Sequence, residues 1–242
     1  MKWRSLSYVL LVLSIFSWSC APKDFPMTQE FKDNNHSSKF DYPGLRLNLI
    51  RFLDYSVFKY DKNEYTQTES TIRAGIILSG RSLRSDITEV KVLFGKIADT
   101  CSIDCLRTIQ YDHYGRSATM SVINLFSKNS NKMPQETSDK VLNDGVRGTI
   151  EYAATSTAFA FENLRPGKRL AGWLIINADS FLLKPVVVGN SFLGMQLLKG
   201  DMMYAAIARP FNEGDRMYMY SKTSATEQML IAAYFAIIKR NW

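Results

Sequence analysis

Residues Ser224–Trp242 read SATEQMLIAAYFAIIKRNW, and whether they form a helix or a last buried strand decides the fold. Ser224 and Glu227 stand at capping-box spacing, where a serine oxygen and a glutamate three residues on satisfy each other's backbone N–H groups. Ala232, Ala233 and Ala236 favour helix, and Lys239 and Arg240 suit the negative end of a helix dipole. The competing reading takes AAYFAIIKR as a strand with both faces buried. The cap and the alanines decide for a helix. Its apolar part, Met229 to Ile238, is too short to cross a bilayer, which takes about 20 residues.

Upstream of this segment the chain reads mostly as short strands. LRLNLIRFL, from Leu45, alternates apolar Leu45, Leu47 and Leu49 with Arg46 and Asn48. YSVFKY, STIRAGIILSG and DITEVKVLFGKI follow, each bounded by polar residues or glycine. LRTIQYDHY and RSATMSVINLF read as a pair joined around Gly115. Residues 127–145 form a polar break, expected as a long surface loop or a short helix. Strands resume in RGTIEYAATSTAFAFENL, then in a buried run, Leu170 to Ile176, fed by a turn at Pro166-Gly167. FLLKPVVVGNSFLGMQLL is apolar on both faces and belongs at the core centre. In RMYMYS, Met217 and Met219 share one face and Tyr218 and Tyr220 the other. Short strands at this spacing predict a mainly β fold, an antiparallel sandwich or barrel-like domain, with a C-terminal helix. No repeat of 20–50 residues is visible, so a solenoid or propeller is not expected.

The N-terminus is of a different kind. Lys2 and Arg4 precede an apolar run from Tyr8 to Trp18, and the run stops at Cys20. That pattern has the flanks and length of a secretory signal. A cysteine directly after a small residue, Ser19, resembles the lipobox of bacterial lipoproteins. Ser17 and Trp18 make it the relaxed form similar to that of spirochaete lipoproteins. The resemblance covers the export signal alone. It implies cleavage before Cys20, acylation of Cys20 and a membrane anchor. Ala21 after the cysteine implies, by analogy, the outer membrane. Residues 1–19 are then a signal peptide, 20–43 a lipidated flexible tether, and 44–242 one β-rich domain.

A hydrophobic share of 46% with 22% charged residues is globular rather than disordered. The formal charge is +7, and loss of Lys2 and Arg4 leaves +5. The basic residues are scattered, and no aromatic-plus-basic motif accompanies them, so nucleic acid is not an expected partner. Cys101 and Cys105, close together in TCSIDC, suggest a local disulfide in an oxidising compartment. Only His36 and His113 are present, which excludes a centre of several histidines, and no metal or cofactor is expected. Phosphate-cradling glycine loops and a Gly-x-Ser-x-Gly elbow are absent.

Asp112 beside His113, in IQYDHYG, is the best polar cluster and a candidate for general acid–base work. On a strand the two would face opposite ways unless a bulge intervened. Glu151, Glu162 and Asp179 are candidates for a carboxylate pair. Tyr55, Tyr60, Tyr65, Tyr111, Tyr114, Tyr218 and Tyr220 form either a binding face or ordinary cross-strand pairs. These readings favour a membrane-anchored envelope lipoprotein with a non-enzymatic binding or structural role and an envelope protein or glycan as partner. The alternatives are an envelope hydrolase acting on glycan or peptide, and a carrier of an apolar ligand suggested by Met202, Met203, Met217 and Met219.

Overall fold

The computed structural model describes residues 25–42, 50–73, 79–116, 138–163, 170–189, 191–209 and 214–241. A short helix α1 (Gln29–Asp33) leads into β1 (Asn35–Lys39). Then follow β2 (Arg51–Phe52), β3 (Tyr55–Arg73), β4 (Ser79–Lys96), β5 (Asp99–Arg116) and β6 (Ser138–Tyr152). Next come β7 (Thr155–Asn163), β8 (Leu170–Ile176), β9 (Asp179–Val188), β10 (Ser191–Lys199), β11 (Met202–Ala208) and β12 (Arg216–Tyr220). The chain ends in α2 (Ala225–Asn241). All twelve strands belong to one antiparallel sheet in the order β1-β12-β11-β10-β9-β8-β7-β6-β5-β4-β3-β2.

The sheet curls until its two edges meet, so the fold is barrel-like and not a sandwich. Asp41, just past β1, pairs with Arg51 of β2 through two backbone hydrogen bonds of 2.8 Å. Beside this bridge the Leu53 amide donates to Ser38 Oγ, and the Phe40 and Phe52 rings lie 4.8 Å apart. Two-residue turns join strands at one end of the barrel. At Ala153-Ala154 and Asn177-Ala178 both residues take positive φ, the twist that a tight hairpin needs.

Inside the barrel runs α2. None of the ten residues Met229 to Ile238 is more than 2% exposed, and all join one core with strand residues from around the sheet. A helix apolar on every side must be enclosed on every side. Its seventeen residues rise about 26 Å, close to the height of tilted strands of seven to ten residues. Among the described residues no helix is long and apolar enough to cross a membrane. Ser224 caps the start as expected, its Oγ accepting from the Glu227 amide while the Glu227 carboxylate accepts from the Ser224 amide. Tyr234 sits edge-on to Phe159 and Phe161, and its hydroxyl donates to the Ala160 carbonyl at 3.3 Å. At the far end Lys239 and Arg209 both grip Asp215, and Arg240 lies over the Tyr60 ring.

Three sequence expectations change here. The segment expected as a tether to residue 43 carries α1 and β1. Phe31 is buried on the outer wall against Met203, Ala206 and Tyr220, and β1 completes the sheet beside β12. The polar break over 127–145 is, from Ser138 on, part of β6, paired with β5; residues 127–137 lie outside the described residues. The chain does not turn at Gly115, which pairs with Gly80 inside β5, and the partner strand expected over 116–126 lies outside the described residues beyond Arg116. Most of LRLNLIRFL, the reverse turn at Pro166-Gly167 and Cys20 also lie outside them.

Strand length divides the sheet. β3, at nineteen residues, rises about 63 Å, twice the length of β10, at nine. The outer parts of β3 to β6 therefore continue past the barrel rim as a four-stranded arm. Asp61 to Glu69 are exposed throughout, and cross-strand bonds such as Thr66 to Asp86, at 2.8 Å, and Tyr65 to Glu89, at 3.3 Å, knit the arm together.

Two measurements test this core. In urea denaturation Tyr234→Ala should cost about 3–5 kcal/mol through the cavity it opens, and Tyr234→Phe only about 1 kcal/mol for the lost hydrogen bond. Asp215 supplies a pH signature. Burial alone would raise its pKa, but hydrogen bonds from Arg209 and Lys239 outweigh that and hold it below the usual carboxylate value. Its stabilisation is complete above the unfolded value of about 3.9 and is lost as pH falls through the lower folded value. Asp215→Asn leaves Lys239, only 10% exposed, without its carboxylate. It should cost about 3–5 kcal/mol at neutral pH and flatten the acid limb of the stability curve.

Candidate functional site

The two cysteines come first, because the structure overturns their pairing. Cys101 and Cys105 are both free and both buried on the inward face of β5, with Ile103 between them. Four residues along an extended strand is about 13 Å, and a disulfide needs Cα atoms within about 7 Å. Burial pushes both thiols up to about 12. They fill space in the core and are too protonated to act as nucleophiles at neutral pH.

Asp112 and His113 hold consecutive places in a regular ladder. Asp112 pairs with Leu83 and Lys140, and His113 with Ser82 and Asp139. The one bulge of the β5–β6 ladder is carried by β6, where Leu142 is the extra residue opposite Gln110 and Tyr111, so β5 itself has no bulge to turn the two onto one face. The candidate carboxylates are also spread out. Glu162 pairs with Gly145, six residues along β6 from Glu151, a separation of about 20 Å. A glycosidase pair needs about 5–9.5 Å. Asp179 is held by Lys199 at 2.5 Å.

The tyrosines do not share one face. Tyr55 stacks on Phe94 in the core, Tyr60 lies under Arg240, Tyr111 under Arg84, and Tyr220 beside Phe31 on the outer wall. Tyr65 stands on the arm. Met217 and Met219 are fully buried against α2, so they are core filler.

What the fold does assemble is an open groove of about 570 Å³ on the outer wall, at the root of the arm. Four adjacent strands build it by register. Leu106 of β5 stands opposite Arg147 of β6, Arg147 opposite Ala160 of β7, and Ala160 opposite Trp173 of β8. One rung along, Thr108, Gly145, Glu162 and Ala171 form a parallel row. Gly145, Ala160 and Ala171 are small, so the wall is hollow there, with Trp173 on one bank and Gln110 and Asn143 on the other. Gly172, behind this floor, is a packing requirement: a Cβ there would come within 2.2 Å of the Ala160 carbonyl oxygen.

Among the described residues no side chain engages Arg147, Glu162, Gln110 or Asn143. Their hydrogen-bonding capacity is turned outward, around an indole face. Directly behind, on the inner side of the same two strands, Arg107 makes a two-pronged bond to Asp144, both contacts 3.0 Å, which stiffens the arm root. Sequence reading missed this groove because its residues come from four separate strands. The signal available was the small, outward-facing set Gly145, Ala160 and Ala171 along otherwise bulky strands. No family model, no curated protein and no solved structure matches the chain.

The thiols give a direct check. Iodoacetamide should leave Cys101 and Cys105 unmodified in the folded protein and label both once it is denatured, with no prior reduction needed.

Proposed function

We propose that the chain is a membrane-anchored envelope lipoprotein, held through an acylated Cys20, whose domain serves by binding or by structural support rather than by catalysis. The outer membrane is its proposed destination. The observation that carries the reading is the filled barrel. With α2 occupying the lumen, a carrier of an apolar ligand would lack an interior to load, and the surface left for recognition is the outer wall. There the groove sets an indole face among outward-turned amide and charged groups. That mixture suits a protein segment or glycan of the envelope, where flat apolar contact and a few directional bonds act together. The candidate acid–base residues do not converge, which weighs against the hydrolase.

Two experiments test the two halves. The intact mass of the mature protein from its native membrane should correspond to a chain starting at Cys20 plus acyl chains. Cys20→Ala should abolish the acyl mass and leave residues 1–19 uncleaved. An unacylated mass removes the anchor from the proposal. For binding, a photo-crosslinking residue at position 108 in intact cells should yield a discrete adduct that Arg147→Glu abolishes. No adduct, or one indifferent to Arg147, overturns the groove as the contact site.

A further inference from the structure

We propose that the outer wall of β8–β10, centred on Leu182 and Ile175 and bordered by Trp173 where it meets the groove, rests on the bilayer that carries the Cys20 anchor. This rests on the lipoprotein reading above. It starts from a length. Only residues 21–24 separate Cys20 from Phe25, the first described residue of the fold. Five steps of fully extended chain reach at most about 18 Å. The domain is therefore held close to its membrane, with little freedom to turn other sides towards it.

The place where that leash joins the fold selects the face. Phe25 and Met27 pack on the outer wall with Leu198 of β10 and Met202 of β11. Leu198 stands opposite Leu182 of β9, and Leu182 opposite Trp173 of β8. Neighbouring strands are about 4.8 Å apart, so this row lies well within the reach of the leash. It is also the exposed apolar surface nearest to it. Trp173 is 37% exposed, Ile175 40% and Leu182 43%. On β8–β10 the outward positions beside them, Ala171, Ser180, Lys184 and Gln196, add one cation, and the first carboxylate on this face, Glu162, stands on β7 opposite Ala171 in the groove. An indole among aliphatic side chains with a lysine at the margin is the composition that settles at a lipid headgroup boundary. Of the other exposed apolar residues, Val188 lies on β9 at its far end from Leu182, and Phe58, Leu93, Ile97, Val141 and Leu142 lie on β3 to β6 or the turn between β4 and β5, away from the leash.

The test uses the acylated mature protein reconstituted in phosphatidylcholine–phosphatidylglycerol vesicles. Mature chain cut before Cys20 keeps two tryptophans, Trp173 and Trp242, so Trp242→Phe leaves Trp173 as the sole indole reporter. Its emission should shift to the blue on reconstitution and lose intensity when the lipid chains are brominated. Adding Ile175→Glu and Leu182→Glu should restore the emission, with acyl mass and far-ultraviolet circular dichroism unchanged. Equal emission in brominated and ordinary vesicles from a protein whose mass shows acylation overturns the proposal and leaves the anchor standing. A blue shift without bromine quenching means that protein, such as a second copy, covers the face, and also overturns it. Quenching that survives the two glutamates does the same. A mass without acyl chains removes the lipoprotein reading itself, and the proposal with it.

Discussion

A barrel of twelve strands is too wide to be filled by its own side chains. Eight strands leave an interior that inward residues can just close. Twelve leave room for a rod about 10 Å across, the diameter of a helix with its side chains. The fold therefore depends on α2 entering the lumen, and much else follows from that. The helix must be apolar on every side, because it meets a wall in every direction. Its polar ends must be satisfied locally, which the Ser224–Glu227 cap does at one end and the Asp215 cluster at the other. Alanines at 232, 233 and 236 keep the rod slim, and Tyr234 meets Phe159 and Phe161 on the wall edge-on.

How far the sequence announced this can be seen residue by residue. Ser224 and Glu227, three apart before an apolar run, were legible as a cap because capping is local chemistry. The alternation of Met217 and Met219 against Tyr218 and Tyr220 was legible because pleating is local too. Placement of the helix inside the barrel was not legible. Apolar residues on all sides say that a helix is enclosed, and leave open what encloses it. The cysteines misled for a related reason. Short spacing brings two thiols together only if the chain turns between them, and here Ile103 carries it straight on as core strand. The polar look of Ser138–Asn143 hid a strand, because in the arm both faces of the sheet are largely solvated and alternation loses its contrast. The groove escaped notice because it is a property of register across β5 to β8, which no single segment encodes.

With its interior occupied, the surface left open to other molecules is the outer wall. The groove sits where the arm leaves the barrel, so two of its strands end near the rim and two run on past it. All four strands put residues into the core around α2, and β5 and β6 also run on past the rim. The Arg107–Asp144 contact lies behind that junction and limits how far the banks can splay. A small-residue floor backed by Gly172, which has no room for a side chain, keeps the hollow from filling.

The pairing of β1 with β12 also sets an order of events. Asn35 lies opposite Tyr220, and the helix that fills the lumen follows Tyr220. A chain delivered N-terminus first, from a ribosome or through a translocation pore, can form the β3–β6 hairpins early, since these contacts are near in sequence. It cannot close the barrel until nearly its last residue has arrived. Contacts of such long range are slow to form. Until then one face of a curved sheet, studded with Phe94, Ile103, Leu174 and Phe181, stands open to water and to other chains. That open face is the stretch most prone to wrong association while the chain is incomplete, and a chain truncated before Met229 would keep it open for good.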